Sequence, residues 1–394
     1  MATIAFDARN VRIEPSGIGR VAENLIRHIA ESDHENEYLL IQRPALQEPI
    51  VSGPRFRVVH FPYDIASLRN YVCFGRALQR LRPSVYHSLH SFLPFGVPET
   101  VKTVVTVHDF NWIQRPSIAG VRPWRGWVSG LHGRPMHAHS VRMADHVVCI
   151  SQQTKKDLFH LYPDTTTPVS VIHNGIDAAG FCAGAIRSQI RCYGDTRFLL
   201  SVGSGRPSKN PQGTLRAFAL IKRESKHQDI RLLMVGKIDT LTQLQALVRE
   251  HGLVRDVDFL GMVSDAELTF LMRHALLLCF PSLWEGFGLP VIEAFAFGCP
   301  VIASNVASLK EIAAGAAWMI EEPTSVAEIA QAMRVVIDNK SIRVRLRQEG
   351  LKRAARFTWE RAAQAYVEIY QELMTREVDR KYFVKSVEKS SPQK

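Results

Sequence analysis

Two glutamates, Glu285 and Glu293, stand with seven residues between them in the apolar stretch LWEGFGLPVIEAFAFGCPV (283–301). A buried carboxylate without partners is costly, or gives up its charge. The pair therefore marks either a solvated edge or a bound ligand. Upstream, LLLCF (276–280) reads as a strand, Pro281 and Ser282 turn the chain, and Gly286-Phe287-Gly288 makes a flexible loop. Pro290 suits a first helical turn, and Gly298 and Pro300 end that helix after about two turns. Both carboxylates then lie beside free N–H groups, at the end of the helix dipole that attracts an anion. They either complement that dipole or serve a ligand. A carboxylate suits a vicinal diol, because it accepts a hydrogen bond from each hydroxyl.

Three further stretches could do chemistry. SVGSGRPSKNP (201–211) follows the strand-like FLLSV, and its glycines and Lys209 suggest phosphate binding, although the Walker pattern GxxxxGK[ST] is absent. In TVVTVHDFNWIQRP (103–116) a strand ends in His108-Asp109. In FDARNVRIEPSGIGRVAENL (6–25), Gly17-Ile18-Gly19 precedes an amphipathic helix and could cradle phosphate, a weak signal by itself. His132, His137 and His139 are accompanied by neither carboxylate nor cysteine, so no metal is expected there.

These loops need a frame. Short apolar or β-branched runs at 3–6, 104–107, 146–150, 169–172, 198–202, 231–235, 276–280 and 301–304 alternate with segments of helical spacing such as Val21, Leu25, Ile26 and Ile29. That alternation predicts an α/β chain with parallel sheets covered by helices on both faces. The expected division is a Rossmann-like domain over 1–178, a linker over 179–195 and a second Rossmann-like domain over 196–358. A helix over 359–376 carries the apolar stripe Trp359, Ala363, Tyr366, Tyr370 and Leu373, and a disordered tail fills 377–394. Two doubly wound domains leave a cleft at the carboxyl ends of their sheets, and all four candidate loops follow strands.

Residues 281–304 resemble, almost position by position, the PSxxEGFGLPxxEAxAxGxPVIAS signature of the retaining GT-B glycosyltransferases of family four. The resemblance extends to VIHNGID (171–177) and covers about 370 residues, from the first strand through the helix after 359. It implies that Glu293 binds the ribose hydroxyls of a nucleotide sugar. It places Glu285 beneath the donor sugar, with Gly286, Phe287, Gly288 and Leu289 holding sugar hydroxyls and phosphate. Lys209 corresponds to the family's diphosphate lysine. An arginine found in many members five residues earlier is replaced by Ser204, so Arg206 either substitutes for it or faces solvent. His108 corresponds to a histidine that contacts the donor sugar, without being read as a general base. Gly17 and Gly19 match the loop that closes over the diphosphate and borders the acceptor, with Arg20 either part of it or simply helical, and Val21 replacing an aromatic residue. The family needs no catalytic metal, and no cofactor is expected.

Composition fits this reading. The net charge of +11 asks for an anionic partner, and no helix-turn-helix, zinc finger or aromatic RNA-binding pattern supports nucleic acid. No GxGxxG follows a strand, which counts against a dehydrogenase. Six cysteines stand singly and read as reduced thiols. With no signal-like segment and no span-length apolar run, a cytoplasmic enzyme is expected. Residues 110–144 hold no acidic residue but carry Arg115, Arg122, Arg125, Arg134 and Arg142 with Trp112, Trp124 and Trp127. That composition suits either a mobile basic loop or contact with the inner membrane leaflet. The resemblance leans toward mannosyltransferases and rhamnosyltransferases, and implies transfer of a hexosyl unit, with GDP-mannose the leading donor, to a glycan or lipid-linked acceptor in surface polysaccharide synthesis. A nucleotide-sugar 2-epimerase of the same architecture is the alternative.

Overall fold

The computed structural model describes residues 2–11, 16–46, 48–65, 67–115, 123–178, 184–203, 205–237 and 241–389, with side chains except at 68, 123–132 and 376–389. Two parallel sheets organise these residues. The first comprises β1 (Thr3–Asp7), β2 (Glu37–Gln42), β3 (Phe56–His60), β4 (Val85–Ser88), β5 (Lys102–Val107), β6 (His146–Cys149) and β7 (Val169–Val171), in the order β3-β2-β1-β4-β5-β6-β7. The second comprises β8 (Phe198–Val202), β9 (Arg231–Val235), β10 (Val257–Gly261), β11 (Leu277–Phe280), β12 (Val301–Ser304) and β13 (Trp318–Ile320), in the order β10-β9-β8-β11-β12-β13. The strand order reverses between β1 and β4 and again between β8 and β11. Each reversal opens a crevice at the carboxyl ends of its strands. The loops carrying Lys209 and Glu285 leave β8 and β11, the two strands flanking the second reversal.

The cores explain the layering. On the second sheet, Leu199, Phe218, Leu244, Ile302 and Met333 belong to one cluster and Leu200, Phe280, Val291 and Phe295 to another. The stretch read as a linker is docked in its described part. Ile190, in the helix Ser188–Arg191, is 2% exposed within the second cluster, and Tyr193 donates to Asp258 at 2.8 Å.

The first sheet is completed from the far end of the chain. Ile4, Phe6, Leu25 and Ile29 share a core with Trp359, Ala363, Tyr366, Tyr370 and Leu373 of the helix Trp359–Lys389. Polar links reinforce the packing: His87 Nδ1 lies 2.7 Å from the Tyr370 hydroxyl, His87 Nε2 lies 2.8 Å from Thr106 Oγ1, and the Tyr366 hydroxyl lies 3.0 Å from that same oxygen. This helix corrects one expectation. It does not stop at 376 before a disordered tail but continues to Lys389. Trp359–Lys389 contains neither glycine nor proline and is rich in Glu, Lys, Arg and Ala, so nothing breaks it. Residues 390–394 of the expected tail lie outside the described residues.

Candidate active site

Glu285 follows the end of β11 and is 9% exposed. Its Oε1 accepts a hydrogen bond from Lys209 Nζ at 2.6 Å. Both sides of that pair are locally fixed. Lys209 ends a single 3-10 turn, Pro207–Lys209, and Asn210 (φ 49°) then starts the helix Pro211–Lys222 by accepting the Gly213 N–H at 3.0 Å. The ammonium also lies 5.2 Å from the Phe280 ring centroid, a cation–π contact. The Leu283 N–H donates to the Ser208 carbonyl at 2.7 Å and ties the two loops together. On the other side, Ser308 Oγ lies 2.9 Å from the Glu285 carbonyl and 3.0 Å from that of Phe287. Gly288 (φ 108°) then opens the helix Leu289–Ala296 with Pro290 in its first turn. A side pocket lined by Ser201, Gly203, Gly205, Lys209, Met234 and Leu244 adjoins the lysine.

Gly286 fixes the approach of the two domains. A Cβ there would overlap the His108 carbonyl oxygen of the first domain. The His108 ring is buried, and its Nε2 lies 2.9 Å from the Leu89 carbonyl oxygen. A carbonyl only accepts, so Nε2 carries the proton. Burial lowers the pKa of the ring, opposed by that hydrogen bond, which makes it a neutral imidazole near pH 7.

Glu293 is 5% exposed, and burial pushes its carboxyl pKa up. The opposing charge comes from the first domain: Arg20 Nη2 lies 3.7 Å from Glu293 Oε1 and 3.1 Å from Asp265 Oδ1. The structure thus turns Arg20 across the crevice toward the second glutamate. Nothing in the sequence distinguished that from an ordinary helical arginine, beyond its place directly after Gly17-Ile18-Gly19. Gly19 is packed so that a Cβ would come 2.8 Å from the Asn10 carbonyl, whereas Gly17 is exposed. Arg206 is exposed at the edge of the lysine turn, and Ser204 lies outside the described residues.

Beneath the first loop, Asp7 and Arg9 form a buried ion pair at 2.5 Å, and Tyr86 and His90 donate to the same carboxylate, each at 2.8 Å. Burial would raise the Asp7 carboxyl, yet Arg9 and His90 hold it well below the usual carboxylate range. The Arg9 guanidinium also packs 4.3 Å from the Phe74 ring centroid and 5.1 Å from that of Phe61. This cluster is scaffold for the strand end, and every group in it is spoken for.

The basic segment is corrected in part. Trp112 is not displayed outward. It packs with Phe92 and His137, and a Cβ on Gly133 would overlap its ring. Arg115 stacks 3.5 Å over the Trp284 ring of the second domain. Both turn inward because rings and a flat cation find partners there. Arg134, Arg142 and Met143 are exposed on the helix Pro123–Met143. Residue 122 and the side chains of Trp124, Arg125, Trp127 and His132 lie outside the described residues. His137 is caged by Phe92, Phe110 and Trp112, and burial brings its pKa down to about 3. Among the described residues no helix is long and apolar enough to cross a membrane.

The comparisons match this geometry half by half. The family described as Glycosyltransferase Family 4 matches residues 15–179, and Glycosyl transferases group 1 matches residues 184–353. The chain belongs to the family-four type of GT-B glycosyltransferase. An O-antigen chain mannosyltransferase B from Escherichia coli is 28% identical, over 93% of this chain and 99% of the relative. The fold is shared with a sucrose-phosphate synthase from Thermosynechococcus elongatus (TM-score 0.75, 19% identity, 95% of this chain and 100% of the other). It is also shared with HepE from Anabaena, solved in complex with UDP-glucose (TM-score 0.70, 16% identity, 94% and 100%).

Proposed function

We propose that this glycosyltransferase moves a mannosyl unit from GDP-mannose to a hydroxyl of a glycan or lipid-linked acceptor in surface polysaccharide synthesis, with retention and without a metal. The carrying observation is the Lys209–Glu285 pair, 2.6 Å apart, between the two loops that flank the strand reversal of the second sheet. In this reading Lys209 holds the donor diphosphate. Glu285 and the Gly286–Leu289 amides hold sugar hydroxyls, Glu293 takes the ribose diol, and His108 meets the sugar from the first domain. Gly17 and Gly19 border the diphosphate, and exposed Arg206 has room to swing toward it. The departing nucleoside diphosphate gains negative charge at the transition state, which a fixed cation stabilises. With no protein nucleophile in this set, retention is read as same-face substitution, the leaving phosphate deprotonating the acceptor. The chain's own contribution is positioning and charge stabilisation. The name of the full-length E. coli relative supports mannose and O-antigen, and the UDP-glucose held by HepE supports a nucleotide-sugar donor.

A thermal-shift panel of GDP-, UDP-, ADP- and dTDP-sugars, followed by product NMR at the anomeric carbon, tests donor and stereochemistry. Stabilisation by UDP-sugars alone, or an inverted product, refutes the respective part. Lys209→Ala should abolish turnover with the fold intact. Epimerised donor formed without acceptor would favour the 2-epimerase instead. Contact with anionic lipid is assigned to the helix Pro123–Met143 with Arg134 and Arg142, and equal flotation with neutral and anionic vesicles would rule it out.

A further inference from the structure

Arg20 reaches across the crevice to two carboxylates of the other domain, and the two distances divide its work. At 3.1 Å from Asp265 the guanidinium is within hydrogen-bond reach, whereas at 3.7 Å from Glu293 it is too far for a hydrogen bond but close enough to act as a counter-charge. Among the described residues no donor hydrogen-bonds the Glu293 carboxylate, so its lone pairs remain open. Both ends of the bridge are held in place. The helix Gly17–Ser32 is capped by Ser16, whose Oγ accepts the Gly19 N–H at 3.1 Å. Asp265 starts a helix capped reciprocally by Ser264 and Glu267, and Glu267 is gripped in turn by Arg187 at 2.5 Å.

We propose that Arg20 is a positioning residue for the donor: it keeps Glu293 ionised from across the crevice without occupying the acceptors that a ribose diol needs, so the grip on ribose exists only when the domains are closed. This rests on the reading of Glu293 as the ribose ligand. A protonated carboxyl would lose acceptor capacity toward the two hydroxyls. Three influences act on Glu293: burial raises its pKa, Arg20 opposes the rise, and Asp265 adds to it. Separating the domains removes Arg20 and leaves only the two influences that favour the neutral form. Nucleotide release and domain opening thereby become one event.

The test is calorimetric binding of GDP and 2′,3′-dideoxy-GDP to wild type, Arg20→Gln, Arg20→Lys and Glu293→Gln at about pH 6 and about pH 8. UDP and its dideoxy analogue are used instead if wild type prefers uridine. Arg20→Gln should weaken GDP about tenfold at the lower pH, through the lost counter-charge, and less at the higher pH. Dideoxy-GDP should bind Arg20→Gln as it binds wild type, which also shows that the variant is folded, and Arg20→Lys should recover most of the loss. Equal weakening of both nucleotides, or no weakening of GDP at either pH, overturns the proposal. Glu293→Gln separates the two layers. If Glu293→Gln weakens GDP and the dideoxy form equally, or weakens neither, the ribose reading itself fails and this inference with it. If Glu293→Gln weakens GDP selectively and Arg20→Gln does not, the role of Arg20 alone is refuted.

Discussion

Replacing Glu285 by glutamine should produce opposite effects on two ligands. In the unliganded protein the Lys209 ammonium is neutralised at 2.6 Å by a carboxylate whose side chain is 10% exposed, against 23% for the lysine. At the effective dielectric that suits protein sites, two unit charges at this distance attract by about 6 kcal/mol before desolvation and screening. A diphosphate arriving at Lys209 meets that competitor and its negative charge. If about 1–2 kcal/mol of the attraction survives solvent and is released to the ligand, Glu285→Gln should bind GDP about 5- to 30-fold more tightly than wild type. The same change removes the carboxylate proposed to take sugar hydroxyls, so turnover should fall about 100- to 1000-fold, the usual cost of one lost transition-state contact. Titration calorimetry with GDP, set beside initial rates with GDP-mannose, reads both effects. The reasoning fails if the variant binds GDP more weakly than wild type, or if it turns over normally.

Gly286→Ala should slow turnover markedly with little change in Tm, because the added methyl meets the His108 carbonyl and holds the domains apart without entering either core; a normal kcat/KM would refute this. Tyr370→Phe removes the hydroxyl beside buried His87 and should cost about 1–3 kcal/mol, seen as a lower denaturation midpoint. His87 is held neutral by burial, its pKa brought down to about 3, against about 6.5 in the unfolded chain. Above 6.5 neither state carries the proton. As pH falls from there toward 3 the unfolded chain gains it and the folded one does not, so stability should decline through that window, and His87→Gln should flatten the decline in a Tm series. His108 is also kept neutral by burial, so the pH profile of kcat/KM should show no limb near 6.5 from this ring, a point checked by the unchanged profile shape of His108→Gln.

What the sequence disclosed followed how each residue is buried. Strands covered on both faces, such as β5, β8, β9 and β11, announce themselves as unbroken apolar runs. The edge strands β3 and β10 are only part-buried along much of their length and give no such run, and β13 contributes only the three apolar residues Trp318–Ile320. β4 was hidden because His87 and Ser88 sit in it, buried by hydrogen bonds that no hydropathy pattern records. β2 is different: its Tyr38–Ile41 centre was legible and was passed over. In the site, Glu285 and Lys209 were readable because each carries a local motif. The bridge from Arg20 to Glu293 and Asp265, the stacking of Arg115 on Trp284, and the Ser308 contacts to the Glu285 loop were not. Each joins residues at least 21 positions apart through geometry that exists only in the folded chain.

The helix Trp359–Lys389 returns to the sheet built from the first residues, which sets an order of assembly during synthesis. Residues 190–354 hold every buried residue of their own two clusters, so that lobe can close as soon as it leaves the ribosome. The earlier-made lobe must wait, with Phe6, Leu25 and Ile29 uncovered, until Trp359, Ala363, Tyr366, Tyr370 and Leu373 emerge to seal it. A chain released prematurely near residue 355 would therefore carry a finished second half and an exposed first half, a product suited to chaperone capture and proteolysis.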